Sequence, residues 1–138
     1  LLTQPDRTIN EMTENELAEV AVEAAFRVHR EVGPGLLEHA YVKCMHHELL
    51  EMGIATKLEH SVPLVYKGAN MGAGYRLDLW LEDKLIIEAK TVETTLPIHQ
   101  AQLMAYLKLT GNKLGLLMNF NVKLMKNGIE RWANGMPE

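Results

Sequence analysis

The sequence has one cysteine, Cys44, in 138 residues, so no internal disulfide can form, and a reducing, cytoplasmic setting is expected. Cys44 falls in a helical stretch and reads as a small buried hydrophobe rather than a nucleophile. No apolar run approaches the ~20 residues of a membrane span, and no membrane partner is expected. The first residues lack the basic-then-apolar pattern of a secretory signal. Basic residues are not in excess: 14 Lys and Arg stand against 18 Asp and Glu, a net charge of −4. That argues against a generic electrostatic binder of nucleic acid, which would usually be basic. It leaves room for an enzyme whose carboxylates hold a cation, because the ion restores positive charge locally. No zinc-ligand spacing is present. His46 and His47 are adjacent and point about 100° apart on a helix, and His29, His39 and His60 have no partner at the required separation. There is no internal repeat, linker or low-complexity segment, and the methionines are scattered over apolar faces as core filler. The expectation is one domain over residues 13–138, preceded by a tail over residues 1–12.

What is present is concentrated between Tyr75 and Lys90. Leu77, Leu79, Leu81, Leu85, Ile87 and Ala89 are all apolar and all odd-numbered. Side chains alternate faces along a strand, so this pattern predicts two strands, each with an apolar face. Both apolar sets must share one side of the sheet, since a one-residue slip turns a whole set outward. An odd-length turn such as Glu82-Asp83-Lys84 satisfies that and sets Leu81 opposite Leu85. Asp78 then falls opposite Glu88, and Arg76 opposite Lys90. Directly opposed residues have Cβ atoms about 5 Å apart. Two carboxylates so placed repel unless a cation lies between them. With Lys90 alongside, they make a site for a hard divalent metal and a phosphate.

The rest of the chain supplies a frame. Thr13 and Glu16 form a capping-box signature, and Leu17, Val20, Ala21, Ala24, Ala25 and Val28 follow at helical spacing. This helix is expected to end near Glu31, before Gly33-Pro34-Gly35. A second helix is expected from Leu36 to Met52, with Gly53 closing it. Residues Ile54–His60 and Val62–Tyr66 read as two extended segments, and Lys67–Asn70 as a turn. A third helix should run from Pro97 to Leu109, ended by Gly111. Leu114 to Phe120 is a continuous apolar run, typical of a strand covered on both faces. Asn127-Gly128 reads as a hairpin turn before Ile129–Trp132. This order predicts an α/β fold, a mixed β-sheet flanked by α-helices, with the third helix a crossover if the strands it joins are parallel.

These residues resemble the PD-(D/E)XK phosphodiesterase superfamily, whose α/β core carries an Asp on one strand and (Asp/Glu)-x-Lys on its neighbour. Asp78, Glu88 and Lys90 take those places, although Leu77 rather than a proline precedes Asp78. Gly35-Leu36-Leu37-Glu38-His39-Ala40-Tyr41 reads as G-x-x-E-x-x-Y, the motif that names the GxxExxY family within the superfamily. Gln102 and Tyr106 read as the Q-x-x-x-Y of an exonuclease branch. The resemblance spans Thr13 to Trp132. It implies a restriction-endonuclease-like core and a Mg²⁺-dependent nuclease, with Mn²⁺ as a substitute, acting on DNA in preference to RNA.

In this reading Asp78, Glu88 and the Ala89 carbonyl are metal ligands, and Lys90 assists the attacking water or holds the phosphate. Glu38 alone reads as a solvated acid favoured by a helix N-terminus; the resemblance makes it a further ligand. His99, Gln102 and Tyr106 share a helix face, either gripping a phosphate beside the metal or forming a polar boundary between core and solvent. Tyr41 reads as a packing residue with its hydroxyl tied to a neighbour. Trp80 lies on the strand face of Asp78 and reads first as packing under a helix, with covering the site or stacking on a base as the alternatives. The alternative is a non-catalytic module of the same fold that binds nucleic acid or a protein. The apolar strand Leu114–Phe120 also permits a homodimer without requiring one.

Overall fold

The computed structural model describes residues 12–136. The expected N-terminal tail lies outside them, apart from Met12, which packs against the core. Helix α1 (Glu14–Val32) begins as the sequence implied: the Thr13 hydroxyl accepts from the Glu16 amide at 3.1 Å, and the Glu16 carboxylate accepts from the Thr13 amide at 2.9 Å. This reciprocal cap satisfies two of the helix's orphan amides. The helix stops at Gly33, which adopts φ 66°, a conformation with little steric cost only for glycine. Helix α2 (Glu38–Glu51) follows after a short loop. Tyr41 secures that loop. Its hydroxyl donates to the Gly33 carbonyl and accepts from the Leu36 amide at 3.1 Å, while its ring stacks on Phe120 at 4.6 Å.

Five strands follow in chain order: β1 (Thr56–Tyr66), β2 (Ala69–Leu81), β3 (Leu85–Lys90), β4 (Leu114–Asn119) and β5 (Ile129–Ala133). They form one sheet in the order β1-β2-β3-β4-β5. Only the β3–β4 pair is parallel. Helix α3 (Pro97–Thr110) is therefore the crossover that a parallel pair requires. It starts at Pro97, whose missing amide proton costs nothing in the first turn, and ends at Gly111 in the left-handed conformation.

Two local expectations are corrected. The segments expected over Ile54–His60 and Val62–Tyr66 are one strand, interrupted by register shifts on either side of Pro63. Proline cannot donate to a ladder, and the strand bulges past it without ending. Asn127-Gly128 is not a hairpin turn. It closes a short 3-10 helix, Met125–Gly128, which places Gly128 against the end of β4.

The sheet carries helices on both faces. On one, Leu17, Ala21, Ala24, Tyr41, Met45 and Leu49 of α1 and α2 pack against Leu79, Leu81, Leu85, Ile87, Ala89, Leu116 and Met118. On the other, Leu103 and Leu107 of α3 pack against Leu77, Ile86 and Leu117, with Trp80 beneath. Every residue of β4 is buried, as a strand covered on both sides requires. Gly115 lets α3 approach closely, since a Cβ there would lie 2.7 Å from a Leu103 methyl.

Leu77 departs from the expected pattern. It shares the α3 face with Trp80, while Leu79 and Leu81 lie on the α1–α2 face. The alternation therefore slips by one between Leu77 and Leu79, at Asp78.

The 3-10 helix yields a prediction about stability. A Cβ at Gly128 would stand 2.1 Å from the Asn119 carbonyl oxygen, a main-chain atom that cannot move aside. Gly128→Ala should destabilise the fold by about 2 kcal/mol or more, read as a lowered urea midpoint. An unchanged midpoint would mean that the close approach does not exist in solution.

Candidate active site

β2 and β3 pair at Leu81↔Leu85, Trp80↔Ile86 and Leu79↔Ile87, and the ladder goes no further. The next residues are Asp78 and Glu88. Where the strands part, two main-chain amides need acceptors, and a buried amide without one costs about 1–3 kcal/mol. The carboxylates supply them, each across to the other strand. Asp78 Oδ2 accepts from the Ala89 amide and Glu88 Oε2 from the Asp78 amide, both at 2.9 Å. The structure thus brings Asp78 and Glu88 together, but through crossed side-chain-to-main-chain bonds rather than as a simple opposed pair. Arg76 and Lys90 are not paired, because the strands have separated before that level.

Each carboxylate commits one oxygen to these bonds. The other, Asp78 Oδ1 or Glu88 Oε1, has no hydrogen-bond partner among the described residues. No buried side-chain oxygen lacks a partner among those residues, so both free oxygens reach solvent, although Glu88 as a whole is only 4% exposed. Hard carboxylate oxygens on two adjacent, hydrogen-bonded acids are the donor type a small divalent cation prefers. Closed all-protein coordination is not present: among the described residues, no three His, Cys, Asp or Glu side chains are grouped to hold a metal.

The electrostatics agree. Burial first, and then the charge of Asp78, pushes the Glu88 carboxyl from its ordinary 4.5 up to about 8. Burial likewise raises Asp78, and the charges of Glu38 and Glu59 add to the rise. Lys90 lowers both, without reversing either. Removing charged carboxylates from water is unfavourable unless positive charge compensates, and the lysine alone falls short.

Glu38 opens α2 and acts on both acids through its charge; it makes no hydrogen bond to either. Ala89 gives its amide to Asp78 and its methyl to the core. Lys90 Nζ donates to Gln102 Oε1 at 3.3 Å, linking β3 to α3. Tyr106, one turn on, stacks on Tyr75 at 5.0 Å. Its hydroxyl is held protonated above its ordinary range, by burial first and then by the charges of Glu88 and Asp78. His99 is occupied differently: its Nδ1 accepts from the Leu96 amide at 3.0 Å at the start of α3.

Sequence reasoning passed over two residues here. Glu59 stands in β1 between the pairs Leu58↔Leu79 and His60↔Leu77, level with Asp78. It adopts φ 49°, an uncommon and strained conformation for a side-chain-bearing residue in a strand. Its carboxylate pairs with His39 Nδ1 at 2.7 Å, tying β1 to the first turn of α2. Asn119, buried at the end of β4, holds the loop after Lys90. Its Nδ2 donates to the Val92 carbonyl at 2.8 Å and its Oδ1 accepts from the Val92 amide at 3.2 Å. No local pattern announces a positive φ within a strand. The asparagine at the end of an apolar run was the one available hint of the second.

Cavities lie elsewhere, between α1 and α2 (about 430 Å³) and beside Lys123 and Lys126 (about 620 Å³), and neither includes Asp78 or Glu88. Comparison with known families gives a match between residues 15–132 and the family model of the PD-(D/E)XK nuclease superfamily. No curated protein and no solved structure matches the chain.

The raised carboxyl of Glu88 sets a pH dependence. Between pH 4.5 and about 8 the folded state keeps a proton that the unfolded chain releases. Stability therefore falls as pH rises through that window, by up to about 1.4 kcal/mol per pH unit. Thermal unfolding of metal-free protein should show this decline, and Glu88→Gln should flatten it and raise the midpoint at pH 8. Added Mg²⁺ should stabilise the wild type more at pH 8 than at pH 5. A flat wild-type profile would show that Glu88 is ordinarily ionised.

Proposed function

Because the chain belongs to the PD-(D/E)XK nuclease superfamily, we propose that it is a Mg²⁺-dependent nuclease that hydrolyses phosphodiester bonds in DNA, with RNA the second substrate to test. The G-x-x-E-x-x-Y segment at Gly35 to Tyr41 places it, in this reading, within the GxxExxY family. The observation that carries the proposal is the pair of free, solvent-facing oxygens of Asp78 and Glu88 beside Lys90.

Each side chain has a stated role. Asp78 and Glu88 hold the cation, joined by the Ala89 carbonyl and, through water, by Glu38. When bound, a divalent ion neutralises charge at the phosphate and makes a coordinated water more acidic. Lys90, steadied by Gln102, orients the attacking water against the phosphorus or holds a phosphate oxygen. Gln102 and Tyr106 line the α3 side, where a hydroxyl kept protonated can donate to a phosphate oxygen; His99 flanks them. The strain at Glu59 is in keeping with a functional site, because its conformation brings a further negative charge towards Asp78.

The second reading, a non-catalytic binding module, draws on the crossed hydrogen bonds, which would stabilise the hairpin even if no metal ever bound. The two readings separate in one experiment. Labelled single- and double-stranded DNA and RNA are incubated with Mg²⁺ or Mn²⁺ and wild-type, Asp78→Ala or Lys90→Ala protein. Loss of at least about a hundredfold in rate in both variants is expected for an electrostatic and positioning role. Equal cutting by all three proteins, or none by any, would defeat the nuclease reading.

A further inference from the structure

β1 and β2 continue past the helices as a two-stranded arm. Its turn is Lys67-Gly68, with φ 51° and 82°, the double positive φ of a tight hairpin whose twist suits the strands. Leu77 and Tyr75 still pack against α3; from Ala69 to Gly74, at ~3.3 Å per residue, the part beyond the helix spans about 17 Å, about half a turn of duplex DNA. Its residues are largely exposed, including Val65 (59%), Tyr66 (58%) and Met71 (54%).

Charge on this arm opposes that of the chain. The protein has a net charge of −4, yet no Asp or Glu occurs from Ser61 through Leu77. That stretch carries Lys67 and Arg76, and neither has an acidic partner among the described residues. Elsewhere Arg27 pairs with Glu23 and Glu48, and Lys57 with Asp83. Lys67 Nζ instead lies over the exposed Tyr66 ring at 5.4 Å. The acids resume at the arm's two roots, Glu59 and Asp78.

The arm is also poorly suited to pairing with another strand. β1 is the sheet edge, and Pro63 with its flanking register shifts breaks the row of donors that a second copy or an added peptide strand would need. Gly74 deepens the irregularity: Leu64 lies across it, and a Cβ there would fall 2.3 Å from the Leu64 Cβ.

We infer that the β1–β2 arm is a docking track for the nucleic-acid strand that enters the Asp78–Glu88 site, with Lys67 and Arg76 contacting its phosphates and Tyr66 its sugars or bases. The inference rests on the nuclease reading for what occupies the arm. An otherwise acidic protein meets its polyanion through this acid-free projection, and the negative charges wait at its root, where a cation would balance them.

Binding and cleavage can be read separately. Asp78→Asn protein, with and without Lys67→Glu plus Arg76→Glu, is titrated into fluorescein-labelled 20-nucleotide single-stranded and 20-base-pair duplex DNA at several salt concentrations, without divalent metal. Anisotropy should show the Kd raised at least about tenfold by the arm variant, and the slope of log Kd against log salt reduced by about 1.5 to 2. Lys108→Glu plus Lys113→Glu is the charge-matched control, near the start of β4 and so at the opposite end of the sheet by register, and it should have a much smaller effect. Lys67→Gln plus Arg76→Gln should act in the same direction with a smaller change, and Tyr66→Ala should weaken binding without altering the slope. Matching unfolding midpoints check that each variant is folded.

An unchanged Kd and slope in the arm variant would overturn the proposal, as would a wild type that binds neither probe at low salt. It also fails if the arm substitutions change oligomeric state in sedimentation rather than binding, since the arm would then be an interface between copies. None of these results depends on cutting. An arm that fails with Asp78-dependent cleavage intact, or the reverse, tells the two proposals apart.

Discussion

Where β2 and β3 separate, each strand borrows an acceptor from the other's side chain. The Asp78 carboxylate takes the Ala89 amide and the Glu88 carboxylate takes the Asp78 amide. This crossed pair keeps the divergence of two buried strands from leaving amides unsatisfied. It holds both acids within a sheet whose hydrophobic faces are covered by α1 and α2 on one side and α3 on the other. It also fixes which oxygens remain free, and those reach water. The feature that ends the ladder is the one that creates the site.

Burial makes that arrangement electrically incomplete. Glu88 is almost wholly enclosed and Asp78 is half-buried, and Glu38 and Glu59 add negative charge from α2 and β1. Lys90 is the nearby compensation on β3, and its ammonium is shared with Gln102. A protein can answer such an imbalance by keeping a proton or by taking up a cation. The raised carboxyls of Glu88 and Asp78 express the first, and the proposed function draws on the second. Scaffold and electrostatics work in opposite directions here, since the bonds that stabilise the hairpin hold its acids where their charge is unfavourable. Functional sites commonly tolerate such local conflict because the surrounding fold over-determines them.

The strained strand position at Glu59 belongs to the same feature. Glu59 turns to positive φ level with Asp78, and Leu77 moves to the opposite face from Leu79. Both strands of the hairpin depart from regular alternation at one level. Below it they are core strands; beyond it Leu77, Tyr75 and Val62 still pack against α3 before the hairpin ends as an exposed arm. The His39–Glu59 pair joins this level to the helix that carries Glu38, so the loop and helix start containing the G-x-x-E-x-x-Y motif are anchored at both ends: by Tyr41 on Gly33 and Leu36, and by His39 on β1.

Local chemistry alone determined much of this protein. The Thr13–Glu16 cap, the Pro97 start and Gly111 stop of α3, the two-sided burial of β4 and the Leu81↔Leu85 register were all legible, because each depends on propensity, periodicity or a turn within a few residues. The closeness of Asp78 and Glu88 was legible too, since hairpin register propagates from the turn. Tertiary structure decided what lay beyond the point where that register stops. Nothing in the alternation of Leu77, Leu79 and Leu81 signals that Leu77 packs against α3 while the other two pack against α1 and α2. Glu59 became part of the site through a backbone conformation its own sequence disfavours, and Gly128 left the expected turn to meet Asn119. The free energy that selects these features comes from contacts between residues far apart in the chain, which no local reading can weigh.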